Sequence, residues 1–292
     1  MMLYDMPLYR PPSEGQNLIL QATLGCSFNG CTFCSMYKTK SYQARPLEAV
    51  FADIEDAAGD WPEAHRIFLA DGDALVLPMD DLLRILDKLS ATFANLQRVS
   101  SYATPINLHR KSVADLQALK ARKLTLISVG LESGSGDILH RIRKGTTQAS
   151  MTDALARARE ASLKVSATVV LGLGGRNRWR DHIEGTAEVV NRVPPTYLST
   201  LQLGLEASVE GRFMEKFGEP FIWQDDDGIL AELEYLLDRL DPPSPVIFRS
   251  NHASNCLPLA GTLPKDKDRL LAEVRAAQSG QVALRPAYIR GL

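Results

Sequence analysis

Four cysteines in 292 residues are far too few for a disulfide-stapled fold. No apolar run approaches the ~18 residues that a membrane-crossing helix needs. Residues 1–12 lack a basic stretch and an apolar stretch, and they carry Asp5, Pro7, Pro11 and Pro12. That is not the composition of a secretory signal, so the expected compartment is the cytoplasm. There is no surplus of positive charge either. Lys and Arg number 33 against 35 Asp and Glu, and the net charge is −2. The balance gives no argument for a broadly basic nucleic-acid surface. No internal repeat and no low-complexity linker is present. The remaining composition, 45% hydrophobic, 23% charged and 7% aromatic, is that of an ordinary globular chain.

What the chain does have is a regular alternation. Apolar runs at residues 18–23, 66–69, 97–102, 124–131, 165–171 and 197–203 read as strands. Helical patterns follow at 46–58, 80–93, 112–121, 152–161, 181–193 and 228–240. Ser112 with Asp115 three residues on is a helix-start signature. Six strand–helix units in a row predict an α/β fold with a parallel sheet. The closed (β/α) barrel has eight such units. The expectation is therefore a partial (β/α)6 TIM-like barrel over residues 1–240. The run Asp241-Pro242-Pro243-Ser244-Pro245 breaks the pattern. Residues 241–292, with a short strand at 246–248 and a helix at 265–278, are expected as a C-terminal extension packed on that core.

Three of the four cysteines fall within nine residues: Cys26, Cys31 and Cys34. They follow the first strand directly. In parallel α/β folds, sites gather at the carboxyl ends of strands. A cysteine cluster in a reducing compartment reads as metal-binding. A structural zinc ion would want a fourth ligand, which Cys256 or His252 can supply through the fold. A redox pair of Cys31 and Cys34 is a second reading. A cubane iron–sulfur cluster with one iron left open is the third.

The segment resembles the radical S-adenosylmethionine (radical SAM) superfamily. That family commonly reads Cys-x3-Cys-x2-Cys after the first strand, with an aromatic residue before the third cysteine. This chain reads Cys26-x4-Cys31-x2-Cys34 with Phe33 in that place. Its one extra residue falls at the turn-prone pair Asn29-Gly30. Further matches follow in order. Asp71-Gly72-Asp73 stands where the family often has Gly-Gly-Glu at the end of strand two. Gly130-Leu131-Glu132-Ser133-Gly134, then Lys144-Gly145, matches a segment often found after strand four. Gly172-Leu173-Gly174-Gly175 matches the fifth-strand glycine motif. The nearest likeness is to the branch with methylthiotransferases and oxygen-independent coproporphyrinogen oxidase.

The resemblance implies a [4Fe-4S] cluster on Cys26, Cys31 and Cys34. It implies S-adenosylmethionine (SAM) near Phe33, Asp71, Gly72, Asp73, Glu132, Ser133 and Gly172. The implied reaction is reductive cleavage of SAM to a 5′-deoxyadenosyl radical that takes hydrogen from a substrate. A small organic substrate and an electron donor such as flavodoxin or ferredoxin are the implied partners. The alternative is a zinc- or iron–sulfur-binding protein with a structural or electron-transfer role. Other residues carry weaker signals. Tyr102 is a pocket or packing residue. Arg141, Arg143 or Lys144 is a partner for the SAM carboxylate or part of a solvated helix face. Arg176, Arg178 and Arg180 with Trp179 form a basic–aromatic loop. Residues 249–256 form a polar segment that either touches substrate or makes a capped turn.

Overall fold

The alternation of strand and helix continues through the computed structural model, which describes residues 2–291. In chain order the elements are β1 (Leu18–Gln21), β2 (Thr23–Leu24), β3 (Gln43–Ala44), α1 (Leu47–Asp60), β4 (Arg66–Ala70), α2 (Met79–Thr92) and β5 (Arg98–Ala103). Then come α3 (Pro105–Arg110), α4 (Val113–Ala121), β6 (Leu124–Glu132), α5 (Gly136–Arg141), α6 (Gln148–Glu160), β7 (Lys164–Leu171) and α7 (Gly175–Arg192). The last are β8 (Tyr197–Gln202), α8 (Ala207–Phe217), α9 (Asp226–Arg239), β9 (Val246–Arg249), β10 (Ala260–Leu263) and α10 (Lys267–Gln278). Eight strands join one sheet in the order β1-β4-β5-β6-β7-β8-β9-β10, and β2 and β3 form a separate ribbon.

The chain divides into two compact units. The first is Met1–Asn29, Met36–Val129 and Ala156–Val165. Within it, β1 pairs with β4, β4 with β5, and β5 with β6, all parallel. Ile67, Phe68 and Leu69 of β4 are fully buried, as expected where helices cover a parallel sheet. Leu82, Ile85, Leu86 and Leu89 form the buried stripe of α2, at the spacing of one helix face. Ser112 and Asp115 close the expected capping box at the start of α4.

The second unit is Gly30–Ser35, Gly130–Leu155 and Ser166–Leu292. Here β7, β8 and β9 run parallel and β10 closes antiparallel on β9. Ile229, Leu233, Leu236 and Leu237 of α9 are buried. Three elements of this unit were not expected from the sequence: α5, α8 and β10. The first is only six residues long, and Ser135 starts it by accepting from the Ile138 amide. In addition, α7 begins at Gly175 rather than at residue 181. Gly175 has φ +54, and the Arg176 amide donates to the Ile222 carbonyl at 2.8 Å. Gly175 starts the helix, so Arg176–Arg180 lies on α7 rather than in a loop.

The polar segment at 250–256 connects β9 to β10. Asn255 is buried there. It donates to the Thr200 carbonyl at 2.7 Å and to Ser250 Oγ at 3.0 Å, and accepts from the Gln202 amide at 2.7 Å. It therefore ties the loop to the end of β8. Asn255→Ala is expected to lower the unfolding free energy by roughly 2 kcal/mol, because the buried Thr200 carbonyl loses its donor. Urea denaturation measures this; an unchanged midpoint is the contrary result.

Candidate active site

The ends of β4, β6 and β7 carry the residues singled out in the sequence. At the end of β4, Asp71 sits at φ +64, in the left-handed region. Its Oδ2 accepts from the Gly25 amide at 2.8 Å. The Gly72 amide donates back to the Gly25 carbonyl at 2.9 Å. Asp73 accepts from the Ser27 amide at 3.0 Å and from the Ser27 hydroxyl. The two carboxylates thus grip the backbone on either side of Cys26. Gln21 and Lys40 reach Asp71 at 3.2 and 3.3 Å, and Asn107 reaches Asp73 at 3.3 Å. Burial pushes the Asp73 carboxyl above its ordinary range, against the pull of its bonds to Ser27 and Asn107. Gly72 is demanded by closeness. A Cβ there would lie 2.4 Å from the Cys26 Cβ and 2.9 Å from its sulfur.

Cys31 and Cys34 belong to the second unit. Between them the Thr32 amide donates to the Ile142 carbonyl at 2.9 Å. Phe33 is half-buried and packs on an apolar cluster of Ile138, Leu139, Ile142, Val170, Leu173, Phe213 and Phe217. The unexpected helices α5 and α8 therefore build the socket for the aromatic residue.

Glu132 ends β6 at φ +59, and its Oε1 accepts from the Lys144 ammonium at 2.8 Å. Burial works against that ammonium. Glu132, together with Cys31 and Cys34 nearby, outweighs it and raises the Lys144 pKa above its ordinary value. A Cβ on Gly130 would fall 1.9 Å from Glu132 Oε1 and 2.7 Å from Lys144 Nζ. A Cβ on Gly134 would fall 2.0 Å from the Gly185 carbonyl oxygen of α7. Gly134, which faces backbone, is a steric requirement, whereas at Gly130 the ends of Glu132 and Lys144 would have to give way.

Ser133 is fully buried. Nε2 of His182 faces the Val170 carbonyl at 3.0 Å, and a carbonyl only accepts, so Nε2 carries the proton. Nδ1 then accepts from Ser133 Oγ at 2.8 Å. Burial lowers the His182 pKa to about 4, which keeps the ring neutral. After β7, Gly172 stands at φ +82, and its amide donates to Glu232 of α9 at 2.7 Å. Gln224 donates to the other Glu232 oxygen at 2.9 Å. Burial raises the Glu232 pKa to about 7. His182 and Glu232 carried no sequence signal, since each acts alone from a helix far along the chain.

The other candidates are already engaged. The Tyr102 ring meets Phe68 edge to face at 5.1 Å. Arg141 pairs with Asp137 at 2.7 Å. Arg176 pairs with Asp225, Arg178 with Glu219, and Arg180 stacks on Trp179 at 4.4 Å. Cys256 is buried, and burial pushes its thiol up to about 11. His252 bonds Ser254 at 2.9 Å.

The residues around the cysteines fit a bound iron–sulfur cofactor. Three cysteines lie on one loop, each partly buried. The Thr32 hydroxyl, between Cys31 and Cys34, is buried without a hydrogen-bond partner among the described residues. Such groups are normally satisfied, so a bound molecule is the natural partner. Among the described residues no group of three His, Cys, Asp or Glu side chains is arranged to hold one metal ion. In a cubane each thiolate takes its own iron. No helix among them is long and apolar enough to cross a membrane.

Comparison with known proteins bears on the class. The family model for the radical SAM superfamily matches residues 20–190. The chain belongs to that superfamily, whose members are enzymes that bind a [4Fe-4S] cluster and SAM. It is 27% identical over 198 residues to a tRNA-2-methylthio-N(6)-dimethylallyladenosine synthase of Hahella chejuensis, across 63% of this chain and 42% of that protein. It is 22% identical to the heme chaperone HemW of Bacillus subtilis, across 60% of this chain and 48% of that one. Among solved structures, coproporphyrinogen III oxidase (HemN) from Escherichia coli superposes with a TM-score of 0.55 at 15% identity, covering 76% of this chain and 52% of that one. The fold is accordingly the α/β partial barrel of radical SAM enzymes. The chain spans less than half the length of the curated relatives it matches.

Two outcomes follow from this geometry. Gly72→Ala is expected to lose most of its iron after anaerobic reconstitution, while Gly136→Ala, with open space at its Cβ, keeps it. Equal iron in both variants contradicts the steric argument. Glu232 holds its proton up to about pH 7 in the folded chain, against an ordinary value of 4.5. Between those values the folded state binds more protons than the unfolded state, so this group's contribution to stability falls as pH rises. His182 contributes the opposite slope, so the variant difference is the clean readout. Relative to Glu232→Gln, the wild type should lose roughly 3 kcal/mol between pH 4.5 and 7. Denaturant unfolding across that range checks it; a flat difference contradicts it.

Proposed function

We propose that this chain is a radical SAM enzyme of the cytoplasm in which Cys26, Cys31 and Cys34 hold the [4Fe-4S] cluster. The observation that carries the reading is the three-thiol loop, gripped at Cys26 by Asp71 and Asp73 and at Thr32 by Ile142. When bound, the cluster and SAM would supply one-electron reductive cleavage of a carbon–sulfur bond of SAM, and with it a 5′-deoxyadenosyl radical able to take hydrogen from a substrate. The protein's own part is orientation and exclusion of competing reactions.

Glu132 presents an anchored carboxylate at the carboxyl end of β6. Its ion pair with Lys144 and the steric fit at Gly130 fix its rotamer. That suits it to accept from the hydroxyls or the amino group of SAM. Ser133, bonded to His182, holds the turn that aims Glu132. Gly172 makes a buried left-handed turn after β7 that Glu232 holds, with Ile229 filling the space on its side-chain side. Gly72 lets the end of β4 approach Cys26 closely, and Phe33 shields the loop from water.

The substrate we propose is a small organic molecule, with flavodoxin or ferredoxin as electron donor. Arg176 and Arg178 are paired to carboxylates and Arg180 is stacked, so the basic run is engaged within the fold. The test is 5′-deoxyadenosine formation by anaerobically reconstituted protein given SAM and a strong reductant. Product is expected from the wild type and none from Cys31→Ala. A cluster-loaded wild type that forms no product, or a Cys31→Ala protein that does, contradicts the proposal.

A further inference from the structure

Lys144 is an ammonium taken largely out of water. Its side chain is 14% exposed, and that of its partner Glu132 is 10% exposed. Burial of a lysine beside a single carboxylate is costly and needs a compensating interaction. The surroundings supply one. The turn carrying Lys144 is hydrogen-bonded to the cysteine loop, since Ile142 accepts from Thr32 between Cys31 and Cys34. Phe33, from the same stretch, packs on the apolar cluster that includes Ile142. The Lys144 amide in turn donates to the Leu139 carbonyl at 2.9 Å, which fixes the turn. Gly130 leaves room for the ammonium and the carboxylate together. Cys31 and Cys34 both act on this ammonium in the direction of holding its charge. Of the charged side chains on α5 and the turn that follows it, Arg141 and Asp137 pair with each other at 2.7 Å.

A cluster held by three thiolates becomes more negative by one charge when it is reduced. A fixed cation nearby favours the reduced state and a fixed anion disfavours it. In a low-dielectric setting such charges act strongly over several ångströms. Lys144 and Glu132 are of opposite sign, lie 2.8 Å apart, and are both shielded from solvent.

We propose that the Lys144–Glu132 ion pair sets the reduction potential of the cluster, with Lys144 raising it and Glu132 lowering it. This rests on the reading of Cys26, Cys31 and Cys34 as cluster ligands. Lys144 is here a positioned charge rather than a catalytic residue. The pairing also gives Glu132 a second role, since it restrains the cation's effect as well as facing SAM. The one-electron step would involve no bond change at either residue, only an electron arriving from the external donor.

The experiment is an EPR-monitored redox titration of reconstituted protein without SAM. Wild type, Lys144→Met, Lys144→Arg and Glu132→Gln are compared at matched iron content. Lys144→Met is expected to shift the reduction equilibrium tenfold or more toward the oxidised form, ~59 mV lower for one electron. Glu132→Gln is expected to shift the midpoint upward. Lys144→Arg, which keeps the charge, stays near the wild type. Midpoints that do not move, or that move in the same direction for Lys144→Met and Glu132→Gln, overturn the proposal. Each of those two variants gives a sign alone, so loss of one to misfolding leaves the other decisive. Failure of the wild type to take up four irons is a different result, and it strikes the cluster reading itself.

Discussion

Nine residues of chain without strand or helix carry three sulfurs, and the stretch has little of its own to order it. The segment from Cys26 to Cys34 lies between β2 and β3 and has no repeating backbone bonds of its own. Groups outside it hold each part within its own unit. In the first unit, two buried carboxylates at the end of β4 accept from Gly25 and Ser27. In the second unit, one backbone bond to Ile142 and the socket around Phe33 play the corresponding part. Charged acceptors make stronger bonds to amides than neutral ones do. That explains why carboxylates occupy strand ends where a turn alone would take any small polar residue.

The same demand accounts for the backbone at these positions. Asp71 and Glu132 both adopt positive φ at the ends of parallel strands. Non-glycine residues there cost energy, and such strain persists where surrounding contacts fix the residue. Both have those contacts: Asp71 has Gly25, Gln21 and Lys40, and Glu132 has Lys144. Gly72, Gly130 and Gly134 each leave space that a methyl group would fill with an atom of the site or its support.

How far the sequence reaches depends on the range of each interaction. The six strands and their helices were legible because they rest on local periodicity, and the capping box of α4 because it spans four residues. The cysteine loop and the Gly130–Gly134 segment were legible as motifs. The reasons for their glycines were not, because Gly134 answers to Gly185 and Gly72 to Cys26, each far away in the chain. Short α5, and α7 starting at a glycine, escaped because their termini are set by Ser135 and by the Ile222 carbonyl. His182 and Glu232 are single polar residues on amphipathic helices. Only the fold reveals that they face Ser133 and Gly172 rather than solvent.

The central claim is that three thiolates hold a four-iron cluster with one iron open to SAM. Mössbauer spectroscopy of protein reconstituted with iron-57, recorded with and without SAM, tests this most directly. The account predicts that the signal of one iron in four changes when SAM is added, while the other three stay as they were. Four irons that are indifferent to SAM would contradict it.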